Sequence, residues 1–411
     1  MSLSNITLSA SVRQNLLSLQ GTADLLATTQ GRLATGKKVN SALDNPTNFF
    51  TAAGLDSRAS DISNLLDSIG NGVQVLQAAN TGITSLSKLV DTAKSIANQV
   101  LQAPVGYSTK GNVDVTGTGA GTSAVLTAAN LNTGKLAASV ITFKTATSTL
   151  AVTFGATFAT GTGTATVSTL DQLNSVLASN NITVTAGVSS TADTLTFTST
   201  NDAASQTITK TGSAPAGAGV DISGTTTATV GTVNAAVADA VSQATRASLV
   251  TQYNQIVQQI STTASDASFN GVNLLNGDSL KLVFNESGKS TVTIAGVTFN
   301  PAGLGLKALT AGTDFVDNAA TNAVLTNLNN ASTTLRSQAS AFGANLSIVQ
   351  IRQDFNKSLI NVLQTGSSAL TLADSNEEAA NSQALSTRQS IATSALALAN
   401  QSQQSVLQLL R

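Results

Sequence analysis

Cysteine, histidine and tryptophan are absent from this chain, and its 411 residues include only four prolines and one methionine. Without thiolate or imidazole the usual zinc ligands and the commonest general base are missing, and a His-Glu-x-x-His peptidase is excluded. A chain with no cysteine cannot be cross-linked by oxidation, which suits an extracellular destination without requiring one. Aromatic residues make up 3% and charged residues 10%, with Lys plus Arg at 20 against Asp plus Glu at 21. That balance gives no field to gather nucleic acid or an anionic membrane, so neither is expected as a partner. No uncharged apolar stretch reaches membrane-spanning length. Residues 1–10 have no basic cluster followed by an apolar run, so export without a cleaved signal, through a dedicated apparatus, is the expectation. We nominate no catalytic, cofactor-binding or metal residues.

What the chain does have is rhythm. Leu8, Val12, Leu16, Leu19, Ala23, Leu26 and Leu33 recur at steps of three and four, the seam of a helix that packs on other helices. Residues 40–46, ending in Pro46, interrupt it and predict a connector. Leu55, Ala59, Ile62, Leu66, Ile69, Val73, Leu76 and Ile83 then sustain about four heptads. The helix is expected to run on through Val90 and Ile96 and to stop near Pro104.

From about 105 to 238 the sequence changes to Thr, Gly, Ala, Ser and Val. Short β-prone runs at 138–143, 182–185 and 194–197 predict a folded β-rich insert, the alternation of Leu195 and Phe197 arguing against low-complexity disorder. Helical rhythm returns at Val241 and continues to Ile260. A hairpin follows, with Leu280, Leu282 and Phe284 on one strand and Val292 and Ile294 on the other. Leu325, Leu328, Leu335, Ala339, Phe342, Leu346 and Val349 mark a third long helix, and Ile391, Ala395, Leu398, Val406 and Leu409 give the last segment a broad apolar face.

The expected fold is mainly α, with long coiled-coil-like helices from both termini, a β-hairpin and an inserted β-rich outer domain, α+β overall. Amphipathic helices at both ends need partners, either each other or further copies of the chain. On periodicity alone a self-contained bundle satisfies the pattern as well as a polymerising subunit does.

The residues at both ends resemble the bacterial flagellin family. The stretch 31–44, Gly-Arg-Leu-Ala-Thr-Gly-Lys-Lys-Val-Asn-Ser-Ala-Leu-Asp, is similar to the family's junction between its inner terminal helix and the next domain. Residues 373–378, 395–401 and 406–411 resemble its C-terminal helix at the same spacing from the chain end. Residues 269–275 and 335–344 are similar to its core segments. Two departures stand out: Asp44-Asn45 followed by Pro46 where an acidic pair is usual, with Phe49 and Phe50 where small residues are, and an insert placed before the hairpin.

The resemblance implies five segments: an inner helix at 1–44, the first part of a helical shell at 45–103, a variable surface domain at 104–240, the rest of the shell with its hairpin at 241–372, and a second inner helix at 373–411. It implies a non-enzymatic subunit that polymerises through its terminal helices into the extracellular flagellar filament and serves motility. Implied partners are other copies, the cap and hook-filament junction proteins, the flagellar export apparatus and an export chaperone. The expected subunit-packing residues are Leu8, Val12, Leu16, Leu19, Leu26, Leu33, Ile391, Ala395, Leu398, Val406 and Leu409. The shell seam would use Leu55, Ile62, Leu66, Ile69, Val73, Leu76, Leu335, Phe342 and Leu346. The Gly-rich run at 117–121 has no phosphate-loop Lys after it and reads as turns. Asp374, Glu377 and Glu378 read as a carboxylate group complementing a helix N-terminus.

Overall fold

The computed structural model describes residues 10–116, 127–132, 136, 140–145, 149–188, 194–206, 208–211, 218–221 and 233–409, with backbone alone at 10, 11, 116, 209–211, 218–221, 403 and 406–409. Leu8, the run at 117–121, residues 138 and 139 of the anticipated strand, and the side chains of Val406 and Leu409 lie outside the described residues.

Four helices carry the two ends: α1 (Ala10–Thr35), α2 (Pro46–Gln102), α5 (Asn318–Thr371) and α6 (Ser375–Leu409). The connector after α1 is 36–45 and not 40–46, because Pro46 opens α2 instead of closing the gap. In the first turn its missing N–H leaves nothing unpaired. Of the aromatic pair, Phe49 is half-buried and Phe50 is exposed, their rings edge-on at 5.5 Å.

The chain divides into two compact units. One comprises Met1–Gln74, Lys281–Ile294 and Leu346–Arg411. Within it Ala59 and Ile62 of α2 form an apolar cluster with Leu363 of α5, supported by Leu55, Leu359 and Ile360. The hairpin of β13 (Ser279–Val283) and β14 (Thr291–Ala295) ties these helices at its tip. The Leu282 side chain packs into the space that a Cβ on Gly72 would need, so a larger residue there would make Leu282 shift. Arg58 pairs with Glu286 at 2.8 Å, and the buried Asn356 amide donates to the Phe284 carbonyl at 3.0 Å. Of the expected shell seam, Ile62, Ile69 and Val73 are buried in this unit, and Leu55, Leu66 and Leu346 are half-buried.

The other unit comprises Val75–Leu280 and Ala295–Asn345. Leu76, Leu335 and Phe342 are fully enclosed here, as are Ile83, Leu86 and Val90. α4 (Ala240–Asp266), capped by the Asp239 carboxylate, buries Leu249, Val250, Tyr253, Val257 and Ile260. The insert enters through β1 (Tyr107–Thr109), which pairs antiparallel with β12 (Val237–Ala238). Between them lie two sheets. The first runs β5 (Ala159–Gly161), β6 (Thr164–Val167), β4 (Thr149–Phe154), β3 (Val140–Lys144), β10 (Ala218–Asp221), β9 (Thr209–Thr211). The second runs β11 (Val233–Asn234), β2 (Asn112–Thr116), β8 (Thr194–Ser199), β7 (Val184–Val188). Their inner faces share one core in which the Phe143 and Phe197 rings meet edge-on at 5.1 Å.

A helix the β reading of the insert did not anticipate, α3 (Leu170–Ser179), completes that core with Leu173, Val176 and Leu177. Its signal was present in the sequence. Thr169 and Gln172 form a capping box, each side chain serving the other's backbone.

One buried cation joins the insert's root to the helices. Arg246 of α4 is 1% exposed and donates to the carbonyls of Pro104 at 3.1 Å, Phe315 at 2.9 Å and Ala103 at 3.5 Å. It thereby satisfies acceptors just past the C-terminus of α2. Burial pulls its pKa down and the nearby Asp317 carboxylate pushes it back up. Asp317 caps α5 through the Ala320 N–H at 2.9 Å and accepts from the Ser205 hydroxyl at 2.6 Å. Replacing Arg246 with Met leaves these carbonyls without a donor. The expected cost is roughly 3 kcal/mol of unfolding free energy, measured by urea denaturation. Tyr253, whose phenol burial holds at a pKa of about 12, edges Phe315 at 5.8 Å, so near-ultraviolet dichroism will report the same loss.

Candidate assembly face

The rise and fall of burial along α1 and α6 shows which sides meet. On α1 the covered positions include Val12, Asn15, Leu19, Thr22, Leu26 and Thr29, and on α6 they include Ser382, Leu385, Gln389, Ala392, Leu396 and Ala399. Both series step by three and four, and the two helices pack along each other. This pairing leaves large apolar groups outside. Leu16, Leu17, Leu25 and Leu33 of α1 and Ile391 and Leu398 of α6 are exposed, Leu17 by 70% and Leu398 by 69%.

The expected packing residues therefore fall into two sets. Val12, Leu19 and Leu26 lie on the seam between α1 and α6, whereas Leu16, Leu33, Ile391, Ala395 and Leu398 point away from it. A helix with apolar residues on adjacent stripes satisfies a three-and-four spacing along either one, so spacing alone did not separate them. The seam toward α1 starts from Leu385 and Leu396, and Leu17 and Leu25 add to the outer face; sequence reading passed over all four. A second exposed stripe, Ile348, Ile351, Phe355 and Val362, runs along α5 in the same unit.

A clasp of backbone bonds closes the base of the terminal pair. Thr35 ends α1 and Gly36 follows at φ +67°, the left-handed conformation that turns a chain out of a helix. The connector then runs antiparallel to the end of α5. Ala373 N–H donates to Gly36 O at 2.9 Å and Lys38 N–H to Thr371 O at 2.7 Å, with Val39 buried beneath. Beside the clasp Arg32 pairs with Glu378 at 3.4 Å, the carboxylate being the more buried partner. Asp374 caps α6 by accepting from the Asn376 and Glu377 N–H groups at 2.9 and 3.3 Å. The acidic group at 374–378 is thus occupied by capping and one ion pair. Among the described residues no set of three or more carboxylates converges as a metal site, and no helix is long and apolar enough to cross a membrane.

The connector's own turn is held by Asp44. Its carboxylate accepts from the N–H groups of Asn40 at 2.9 Å and Ser41 at 2.8 Å, and these bonds pull its pKa below 3.8. Because the folded value is the lower one, the bonds support the turn above the unfolded pKa and are lost as pH falls through the folded value. Amide exchange at Asn40 and Ser41 should quicken as pH drops below 3.8 once corrected for intrinsic rates, and Asp44→Asn should abolish that dependence.

Two family models match, one at each end. Residues 5–105 match the bacterial flagellin N-terminal helical region and residues 325–410 the bacterial flagellin C-terminal helical region. Both ends of the chain thus carry the terminal helical regions of bacterial flagellins. It is similar to the flagellin FljM of Caulobacter vibrioides, 33% identical over 165 residues that cover 40% of this chain and 59% of the relative. A flagellin of Brucella melitensis is 31% identical over 172 residues, 39% of this chain and 61% of its own. The chain spans about three fifths of the length of these relatives. Flagellins are structural proteins and not enzymes, and the two matched regions contain α1, α6 and the clasp, while the insert lies between them.

Proposed function

We propose that this chain polymerises with further copies of itself, through α1 and α6, into the extracellular filament of the bacterial flagellum and so serves motility. The supporting observation is the uneven division of apolar groups on the terminal pair. Among the described side chains, the seam holds Val12, Leu19, Leu26, Leu385 and Leu396, diluted by Asn, Thr, Ser and Gln, while six Leu and Ile residues face out. A surface of that kind marks an interaction site, and neighbouring subunits are the partner that would cover it along the whole length of both helices. Leu16, Leu33, Ile391, Ala395 and Leu398 would pack between subunits.

In this reading 1–44 and 373–411 form the inner tube, 45–103 and 241–372 the surrounding shell, and 104–240 the surface domain. The subunit would leave the cell through the flagellar type III apparatus, escorted by an export chaperone. It would add beneath the cap protein, beyond the hook-filament junction.

The test is extension of short sheared filament seeds, followed by negative-stain electron microscopy. Full-length chain should grow long filaments and a chain lacking 1–40 should grow none. The double variant Leu17→Ser, Leu398→Ser should fold as the parent does. It should need at least about tenfold more protein to extend the same seeds, since each buried leucine contributes about 1.5–3 kcal/mol. Extension by the shortened chain at the parent's rate would refute the proposal.

A further inference from the structure

Sheet edges are hazards in a protein displayed in many copies, because an unpaired strand is a template for the same strand of a neighbour. In the insert β7 is the edge of the four-stranded sheet, paired among the described residues only with β8. Ala186 sits at its centre, opposite Phe197. Its N–H donates to the side-chain carbonyl of Asn174 at 2.7 Å, and its C=O accepts from the same side chain's NH2 at 3.1 Å. One carboxamide therefore makes both hydrogen bonds that a residue of an added strand would make.

Asn174 lies in the middle of α3, where asparagine is a poor choice for the helix itself. The capping box fixes the start of that helix, and Leu173 and Leu177 anchor its buried side in the insert core. The helix is thus positioned from two directions so that the intervening residue reaches the strand. Thr185, next to Ala186, is exposed on the opposite face of the sheet.

We propose that Asn174 is an edge-strand cap, standing in for a further strand on β7 and preventing pairing with β7 of a second copy of this chain. The cap is independent of the terminal helices: it governs whether surface domains adhere to each other, not whether subunits polymerise.

The absence of cysteine from the sequence permits a direct test in the full-length chain. Thr185→Cys places one thiol beside the capped edge, and the comparison is this variant with and without Asn174→Leu. With Asn174 present, mild oxidation should give little cross-linked dimer. With Asn174→Leu, dimer should rise at least tenfold, and exchange at the Ala186 amide should quicken by a similar factor while the Phe197 amide stays protected. Asn174→Asp keeps the acceptor but not the donor and should fall between the two; it carries the test should Asn174→Leu not fold. Unchanged Ala186 exchange in a folded variant would overturn the proposal, as would faster exchange with no gain in dimer.

Discussion

A helix that carries apolar residues on adjacent stripes cannot be satisfied by one helical partner. This constraint governs the terminal pair. When α1 and α6 cover each other along Val12, Leu19, Leu26, Leu385 and Leu396, they necessarily turn Leu17, Leu25, Ile391 and Leu398 outward. The covered seam carries few large apolar groups, since three of the six named positions on α1 are polar and four of the six on α6 are polar or alanine, and isolated helices gain little from propensity alone. The pair is therefore suited to a state in which each helix has several neighbours. The clasp at Gly36, Lys38, Thr371 and Ala373 ties the connector after α1 to the chain just ahead of α6.

The remainder of the chain supplies what the terminal pair lacks. In the second unit Ile83, Leu86, Val90, Ile260, Leu328 and Leu335 are enclosed without residual exposure of consequence, and polar groups are matched one by one, as at Arg246 and Asp317. In the insert two sheets and α3 surround a separate core. Stability thus resides in these cores, whereas apolar surface is left open on the terminal pair and along Ile348, Phe355 and Val362 of α5. A low content of charge, 10%, is consistent with faces meant to meet other protein surfaces, because each buried ion would need a partner of its own.

Most of the helical architecture was legible in the sequence because a heptad sustained over several turns arises from little besides helices packing on helices. The hairpin was legible too, its alternating Leu280, Leu282 and Phe284 bracketing a Gly-containing turn. What spacing did not reveal was which of two neighbouring stripes faces the partner helix, so Leu385 and Leu396 were passed over in favour of Ile391 and Leu398. The connector was shifted by the habit of reading proline as a stop, when Pro46 is a start. Inside the insert a ten-residue helix was masked by surrounding Thr and Val, although its capping box was visible at Thr169 and Gln172. Arg246 gave no signal at all: a single arginine on a helix reads as solvated until the carbonyls around it are known. Asp44 and Asp374, by contrast, carry the spacing of ordinary turn and cap residues.

The central claim is that the outer faces of α1 and α6 are covered only on assembly. Hydrogen–deuterium exchange, compared between monomer and filament of the same protein, tests it most directly. The account predicts that amides of α1 and α6 exchange far faster in the monomer than those flanking Ile83 and Leu335, and become comparably protected in the filament. Terminal helices already as protected in the monomer as that core, and unchanged by assembly, would contradict it.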